Sequence, residues 1–197
     1  MECYWVLGQR LDFLAISETT GGHYSLFHVV IPAGPPGPLP HRHRDADEFF
    51  FVVEGRVDVL FEDAWRPLGP GQFLHVPRGT LHTFRNVTTD AARMLSGFVP
   101  SGFERFFRDF GQSARLEDVE PLPVQEADIQ RLKATAGQYD MELGPVGVAG
   151  WRGRRQSPMV HAKVVVFAYT GESPTVARSV RTGSAPCRRA CGGARRT

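Results

Sequence analysis

The chain has 197 residues, of which 42% are hydrophobic and 14 are phenylalanine, so it can bury the core of one globular domain, alone or with an appendage. It contains neither a run of eighteen apolar residues nor a signal-peptide pattern at the N-terminus, which argues against a membrane or secreted protein and makes the cytoplasm the expected location. Cys3, Cys187 and Cys191 match neither a disulfide framework nor a paired zinc motif.

Short apolar runs separated by Gly and Pro dominate the first hundred residues. Such runs are typical of strands, and closely spaced strands with turn residues between them indicate an all-β sandwich or barrel. The predicted strands cover residues 11–17, 24–31, 48–54, 56–61, 72–76, 82–86 and 92–99. We expect the first two to form a hairpin.

Three histidines and a glutamate lie in two short motifs within this strand-rich region. His41 and His43 are two residues apart, and side chains at i and i+2 of an extended strand share one face. Glu48 opens the next apolar run, and His82 follows a turn that contains Pro and Gly. Imidazole nitrogens and one carboxylate oxygen suit iron, nickel, manganese, cobalt, copper or zinc. The pattern therefore predicts one divalent transition-metal site.

The strand alternation also predicts the wall around this site. If Glu48 points inward, Phe50 and Val52 share its face, and Phe84 shares the face of His82. These side chains predict an aromatic pocket, which suits a planar or apolar organic ligand.

The other histidines carry weaker signals. In the run 24–31, His28 shares a strand face with Tyr24, and we interpret both as candidate residues of the substrate pocket. His23, His75 and His161 are interpreted as surface or packing residues.

Helices are predicted only after the strands. Ser101 and Glu104 have the spacing of a capping box, and Phe103, Phe106, Phe107 and Phe110 form an apolar stripe beyond it. This helix is expected to lie across the barrel. A second helix is predicted over residues 125–136, before Gly137.

The C-terminal segment differs in charge from the rest of the chain. Residues 1–150 hold 13 Lys and Arg against 20 Asp and Glu, whereas residues 151–197 hold 10 against one. Such a basic segment can bind nucleic acid or an acidic surface. Its Arg, Gly and Ala content leaves little to bury, so we interpret residues 146–197 as a poorly ordered extension rather than a nucleic-acid-binding one. Only residues 161–169 have the composition of a strand.

The two histidine motifs resemble the paired signatures of the cupin superfamily. The first signature is a His-x-His pair, a glutamate after three or four further residues and a glycine after six more, matched by His41, His43, Glu48 and Gly55. The second runs Gly, five residues, Pro-x-Gly, two residues, His, three residues, Asn, matched by Gly71, Pro77, Gly79, His82 and Asn86. In one departure, three residues instead of five separate Gly37 from His41.

The resemblance extends from about residue 4 to residue 144, where the end of the match is similar to single-domain, quercetinase-type bacterial cupins. It implies a cupin β-barrel, that is, a double-stranded β-helix or jelly roll, with one or two C-terminal helices. We expect a cupin domain over residues 1–145, with the barrel at 24–99 and a helical tail at 101–143. A homodimer is expected.

The resemblance also implies a metal-dependent enzyme, with His41, His43 and His82 as ligands and Glu48 as both ligand and proton acceptor. In quercetinase-like dioxygenases the metal holds a deprotonated enol-type substrate, dioxygen adds and a ring opens. The expected substrate is a small aromatic or enolisable compound. Two alternatives stay open: an isomerase, cyclase or lyase that uses the metal only as a Lewis acid, and a non-enzymatic module that binds a small molecule.

Overall fold

A computed structural model of the chain describes residues 1–34, 37–61, 63–118 and 120–144. The predicted C-terminal extension, with its strand at 161–169 and with Cys187 and Cys191, lies outside the described residues. None of the helices within the described ranges combines the length and the apolar character that a membrane span requires.

The described residues form twelve strands, three α-helices and one short 3-10 helix. The strands are β1 Cys3–Val6, β2 Gln9–Ala15, β3 Ser25–Ile31, β4 His41–His43, β5 Asp47–Glu54, β6 Val57–Phe61, β7 Ala64–Leu68, β8 Phe73–Val76, β9 His82–Arg85, β10 Ala92–Val99, β11 Gln112–Ser113 and β12 Met141–Leu143. The helices are α1 Ser17–Thr20, α2 Glu104–Phe110 and α3 Glu126–Thr135, followed by the 3-10 helix Ala136–Tyr139.

The strands assemble into two antiparallel sheets. One sheet has seven strands in the order β11-β1-β2-β3-β10-β5-β8, and the other has five in the order β12-β4-β9-β6-β7. Strands that are distant in the sequence are neighbours in both sheets, as in a jelly roll. The all-β, double-stranded β-helix prediction is confirmed, and so is the hairpin of β2 with β3.

The core lies between the sheets because each central strand turns alternate side chains inward. In β3 the buried residues are Ser25, Phe27, Val29 and Ile31, and the residues between them are partly exposed. Phe27, Phe50 and Phe98 from three adjacent strands are at most 1% exposed. Burying one such ring stabilises the fold by roughly 2 kcal/mol, because its apolar surface is removed from water. The packed phenylalanines therefore fix the inner faces of β3, β5 and β10.

Five of the observed strands lie outside the predicted ranges, and composition explains why one of them, β7, was not predicted. Strand β7 contains Pro67, which cannot donate a ladder hydrogen bond. The strand lies at the edge of the five-stranded sheet, where a missing donor is tolerated, and four of its five residues are exposed.

Helix α2 begins where the sequence predicts a helix, but its N-terminus is not the predicted capping box. Glu104 accepts hydrogen bonds from the backbone N–H of Gly102 at 2.8 Å and of Ser17 at 2.9 Å. Ser101 bonds the Ser17 hydroxyl at 2.8 Å instead of capping the helix. The capping-box prediction is wrong because a tertiary partner, the start of α1, takes both side chains. The consequence is a buried tie between α2 and the loop that joins β2 to β3.

The second predicted helix is also present, as α3. Its Leu132 is 2% exposed and packs into the core, while most of its other residues are exposed. Helices α2 and α3 thus cover one opening of the barrel, together with β12.

Candidate metal centre

The four residues predicted to bind metal meet inside the barrel. His41 of β4 and His82 of β9 are cross-strand partners in the five-stranded sheet. His43 shares the inward face of β4, as the i, i+2 spacing predicts, and Glu48 projects from β5 of the facing sheet. One ligand atom from each residue lies within 4.8 Å of the others, and all four side chains are buried. Two short strands and a facing strand therefore place four donors around one point.

Backbone carbonyls orient two of the imidazoles. His41 Nδ1 lies 2.8 Å from the carbonyl oxygen of Leu39, and His82 Nδ1 lies 2.9 Å from that of Thr80. A carbonyl oxygen only accepts, so each Nδ1 must carry the proton and donate it. In the neutral ring, each Nε2 then keeps a free lone pair, which is the arrangement that metal-ligating histidines have.

Glu48 faces one of these lone pairs at close range. Its Oε2 lies 2.7 Å from His82 Nε2 and 3.4 Å from His43 Nε2. A neutral imidazole lone pair and a carboxylate oxygen repel each other unless a cation lies between them. The pair therefore requires either a proton or a metal ion. The other carboxylate oxygen, Oε1, accepts a hydrogen bond from the Ser96 hydroxyl at 3.0 Å.

His43 provides the clearest test of whether these residues fit a metal. It is 2% exposed, yet neither of its ring nitrogens has a hydrogen-bond partner among the described residues. Its ring packs edge-on against Phe98 and Phe103, with centroid distances of 5.0 and 4.4 Å. A buried polar group without a partner costs roughly 1–3 kcal/mol. An ion held with the other three residues removes this cost, so the donor set fits a divalent transition metal.

The electrostatic environment keeps the ligands in their metal-binding forms. Burial and the adjacent imidazoles of His82 and His43 hold the pKa of His41 well below its usual value, so His41 stays neutral. Burial raises the pKa of the Glu48 carboxyl, but the adjacent imidazoles of His43 and His82 outweigh burial and leave this pKa below the usual value. Neutral imidazole and ionised carboxylate are the forms that bind metals.

The cluster lies at one side of a cavity that encloses about 600 Å³, including the open mouth. Most of the wall is apolar, and Phe84, Phe98, Phe103, Phe106 and Phe107 contribute their rings. Phe84 was predicted from its strand face. Phe50 and Val52, which were also predicted, are fully buried, and Phe50 packs behind the wall against His82 and Phe84.

Two of the predicted pocket residues lie elsewhere. Tyr24 is 44% exposed, and His28 lies on the outer face of β3, where its Nδ1 is 2.9 Å from Asp12. Neither residue lines the cavity. The predicted face of β3 is corrected because Phe27 and Val29, not His28, point inward. Both faces of this strand carry apolar residues, so alternation alone did not distinguish them.

The remaining histidines of the described residues have surface roles. His23 is exposed, and His75 lies 3.2 Å from Asp47 with 44% of its side chain exposed. His161 lies outside the described residues.

Sequence analysis missed several residues of the site. Ser96 and Gln9 line the cavity, and no spacing pattern in the sequence marks them. Phe103 was predicted on an apolar helix stripe, but its contact with His43 depends on where α2 docks. A polar residue on the inward face of a predicted strand is the signal that could have found Ser96, whereas Gln9 precedes the predicted strand 11–17.

Comparisons with known proteins agree with this architecture. A family model described as a cupin domain matches residues 27–98. Quercetin 2,3-dioxygenase of Bacillus subtilis (strain 168) is 35% identical over 100 residues, or 50% of this chain and 28% of that protein. Polyketide synthase CurC of Streptomyces cyaneus is 40% identical over 93 residues, or 47% of this chain and 60% of that protein. The chain thus spans less than two thirds of either relative.

Among solved structures, KdgF from Halomonas sp. matches 50% of this chain and 84% of its own, with a TM-score of 0.44 and 23% identity. The family model covers all three strands that carry the clustered residues, from His41 to His82. Residues 27–98, which contain the whole cluster, therefore form a cupin domain.

Proposed function

We propose that the protein is a metal-dependent enzyme that acts on an aromatic, enolisable small molecule, with His41, His43, Glu48 and His82 as the ligands of one divalent transition ion. The observation that carries this proposal is His43, a buried imidazole at the edge of an apolar, phenylalanine-lined cavity, for which the described part of the chain supplies no hydrogen-bond partner. A site that only stabilised the fold would not need a cavity beside it.

The side chains of the cluster have separate roles in the proposed reaction. A bound ion supplies a Lewis acid for the substrate enolate and, if redox-active, access to dioxygen chemistry. Glu48 accepts the proton of the substrate enol through Oε2, while Ser96 holds Oε1. A carboxylate that also held a cation would have low proton affinity, so Glu48 would act as a base only in a conformation in which Oε2 is free to take the proton. The phenylalanine wall excludes water and orients the ring of the substrate.

The first form of the proposal is a quercetinase-like dioxygenase, in which both oxygen atoms enter the substrate and a ring opens. It is supported by the 35% identity to quercetin 2,3-dioxygenase over 100 residues, together with the ligand set. Because the match covers 28% of that protein, the activity and the substrate of the relative come to this chain as a proposal only. Homodimer formation and cytoplasmic residence stay predictions of the same proposal.

A second form is a cyclase or isomerase that consumes no oxygen. The 40% identity to polyketide synthase CurC favours it, because polyketides are chains of enolisable carbonyl groups that a Lewis acid can activate. The same ligands and the same base serve both reactions. A non-enzymatic binding module is disfavoured because it does not need four metal-capable side chains.

Three measurements on one preparation test the proposal. The protein is purified without an affinity tag, its metal content is determined, and quercetin and a poly-β-ketone are offered in turn while oxygen is recorded. Consumption of one molecule of dioxygen per molecule of quercetin converted supports the dioxygenase. Conversion without oxygen uptake assigns the second form. Full metal content with no conversion of either compound contradicts both enzymatic forms. The double variant His41→Ala/His82→Ala serves as the metal-free control.

A further inference from the structure

Gln9 is a buried polar residue at the start of β2. It is 6% exposed and lines the cavity on the same inward face as Leu11. A two-residue turn precedes it, with Leu7 at φ 50° and Gly8 at φ 79°. Positive φ at both positions is typical of the tightest hairpin turns. This turn places the Gln9 side chain at the rim of the cavity instead of in a loop.

The Gln9 carboxamide has no hydrogen-bond partner among the described residues. Its neighbours on the outer face of β2 differ in this respect: Arg10 and Asp12 bond each other at 3.0 Å, and Asp12 also bonds His28. A carboxamide offers two donors and an acceptor, and in Gln9 these groups are accessible from an otherwise mostly apolar cavity. The free amide therefore points to a bound molecule that supplies the partner.

The charge of the cavity restricts that molecule. No Lys or Arg of the described ranges lines the wall, and its polar members besides Gln9 are His41, His43, Glu48 and Ser96. A phosphate or carboxylate near Gln9 would lie in an apolar site without a counter-charge, which is strongly unfavourable. A sugar would leave several hydroxyl groups unpaired for the same reason. The ligand group that contacts Gln9 is therefore neutral, and the ligand carries few polar groups.

The two polar ends of the cavity lie on separate strands. Gln9 is on β2 and Glu48 on β5, three strands apart in the order β2-β3-β10-β5. At the usual strand spacing, this separation is about 14 Å along the sheet. Apolar side chains such as Val29 and Met94 line the wall on the strands between them. An elongated, flat ligand can reach both ends only if its middle is apolar.

We infer that Gln9 selects substrates by hydrogen bonding a neutral phenolic hydroxyl at the end of the aromatic molecule remote from Glu48. This inference rests on the proposed aromatic substrate class and adds the polar group that distinguishes substrates within it. A phenol donates and accepts, as the carboxamide does, so one hydroxyl satisfies both functions of Gln9.

Equilibrium binding of two flavonols tests the inference. Quercetin carries ring hydroxyls that 3-hydroxyflavone lacks, and both share the enol. Affinities are measured with zinc-loaded protein, because zinc is redox-inert and the ligands are not consumed. In Gln9→Met, which keeps the side-chain volume but removes the amide, the preference for quercetin over 3-hydroxyflavone should fall about tenfold, as for one lost hydrogen bond. The control Gln112→Met makes the same change at an exposed glutamine of edge strand β11, outside the cavity, and should leave the preference unchanged.

A second readout separates recognition from a structural role. Without ligand, Gln9→Met should unfold at the same temperature as the wild type or higher, because the change removes no hydrogen bond within the described residues and adds an apolar side chain to an apolar wall. A clear drop in the unfolding temperature, or an equal loss of affinity for both flavonols, overturns the inference. An unchanged preference overturns it as well. If neither flavonol binds to the wild type, the inference fails together with the aromatic class, whereas metal content and oxygen uptake still test the rest of the proposed function.

Discussion

The Ser96 hydroxyl donates a hydrogen bond of 3.0 Å to Oε1 of Glu48 and leaves Oε2 facing His82 and His43. The bond crosses from β10 to the neighbouring strand β5, so the sheet itself fixes the orientation of the carboxylate. Partners of metal ligands often contribute as much to affinity as geometry does.

Ser96→Ala should therefore weaken metal binding or turnover by about 10-fold to 100-fold while the fold is kept. Competition with a chelator measures the first quantity, and initial rates measure the second. Ser25→Ala is the matched control, because the Ser25 hydroxyl on adjacent β3 is buried without a partner. The control should keep wild-type affinity. Equal behaviour of the two variants would show that Ser96 does not position Glu48.

The double variant His41→Ala/His82→Ala should lose most of its metal. The wild type at a metal concentration of 100 times Kd gains about 2.7 kcal/mol from binding, and the variant lacks this gain. Elemental analysis and thermal unfolding with and without added metal check both effects. His75→Ala, which removes an outward-facing histidine paired with Asp47, should behave like the wild type. Full metal content in the double variant would contradict the ligand assignment.

Glu48→Gln should retain a substantial fraction of the metal, because three imidazoles remain, but lose turnover by about 10² to 10⁴. Affinity for substrate should change less, since the amide occupies the same space. Metal content, binding and rate are measured on one preparation. Glu142→Gln is the control, because Glu142 is an exposed carboxylate on β12. Turnover near that of the wild type in Glu48→Gln would exclude the base role.

The free energy of unfolding should fall in acid, because Asp12 loses its charge there. Burial raises the pKa of Asp12, but its bonds to His28 and Arg10 outweigh burial and leave the folded-state pKa below the usual value. A lowered pKa stabilises the folded state above the unfolded pKa of about 4, and this stabilisation disappears as the pH falls below it. Asp12→Asn should cost about 2 kcal/mol at pH 7 and progressively less toward pH 3.

Urea unfolding of the wild type and of Asp12→Asn at several pH values measures this difference. Asp63→Asn, at an exposed carboxylate of the β6–β7 turn, is the control and should show no pH-dependent cost. A constant difference between the wild type and Asp12→Asn across the range would mean that packing, not charge, explains the loss.

A chain truncated after Gly150 should fold, bind metal and keep its activity. The barrel strands and the clustered residues all lie upstream of that point: β12 pairs with β4, and the N–H of Gly144 donates to the carbonyl of Pro40 at 2.6 Å. Metal analysis and thermal unfolding of the truncated and full-length chains check this. Insoluble protein or loss of metal would show that residues 161–169 belong to the core.

The spacing of the histidines and the glutamate within each motif predicted the metal cluster, because such spacing sets the local geometry of the side chains. The i, i+2 relation of His41 and His43 holds in any extended strand, and each motif carries its own turn. The inward face of β3 was predicted incorrectly because Leu26 and Phe27 are both apolar, so packing rather than pattern decides which of them is buried. No sequence pattern marks Ser96 or Gln9. Their proposed roles depend on residues that are far away in the sequence and come close only in the folded sheet.

The edge contact of Phe103 with His43 joins the barrel to an element outside it. All four candidate ligands lie on barrel strands, whereas part of the cavity wall comes from α2, which is held by the hydrogen bond between Glu104 and Ser17. Substitutions on the inner face of α2 can reshape the cavity without altering a ligand. In this chain, the range of molecules accepted can therefore diversify while the metal chemistry stays constant, and laboratory evolution of new substrates should begin on that helix.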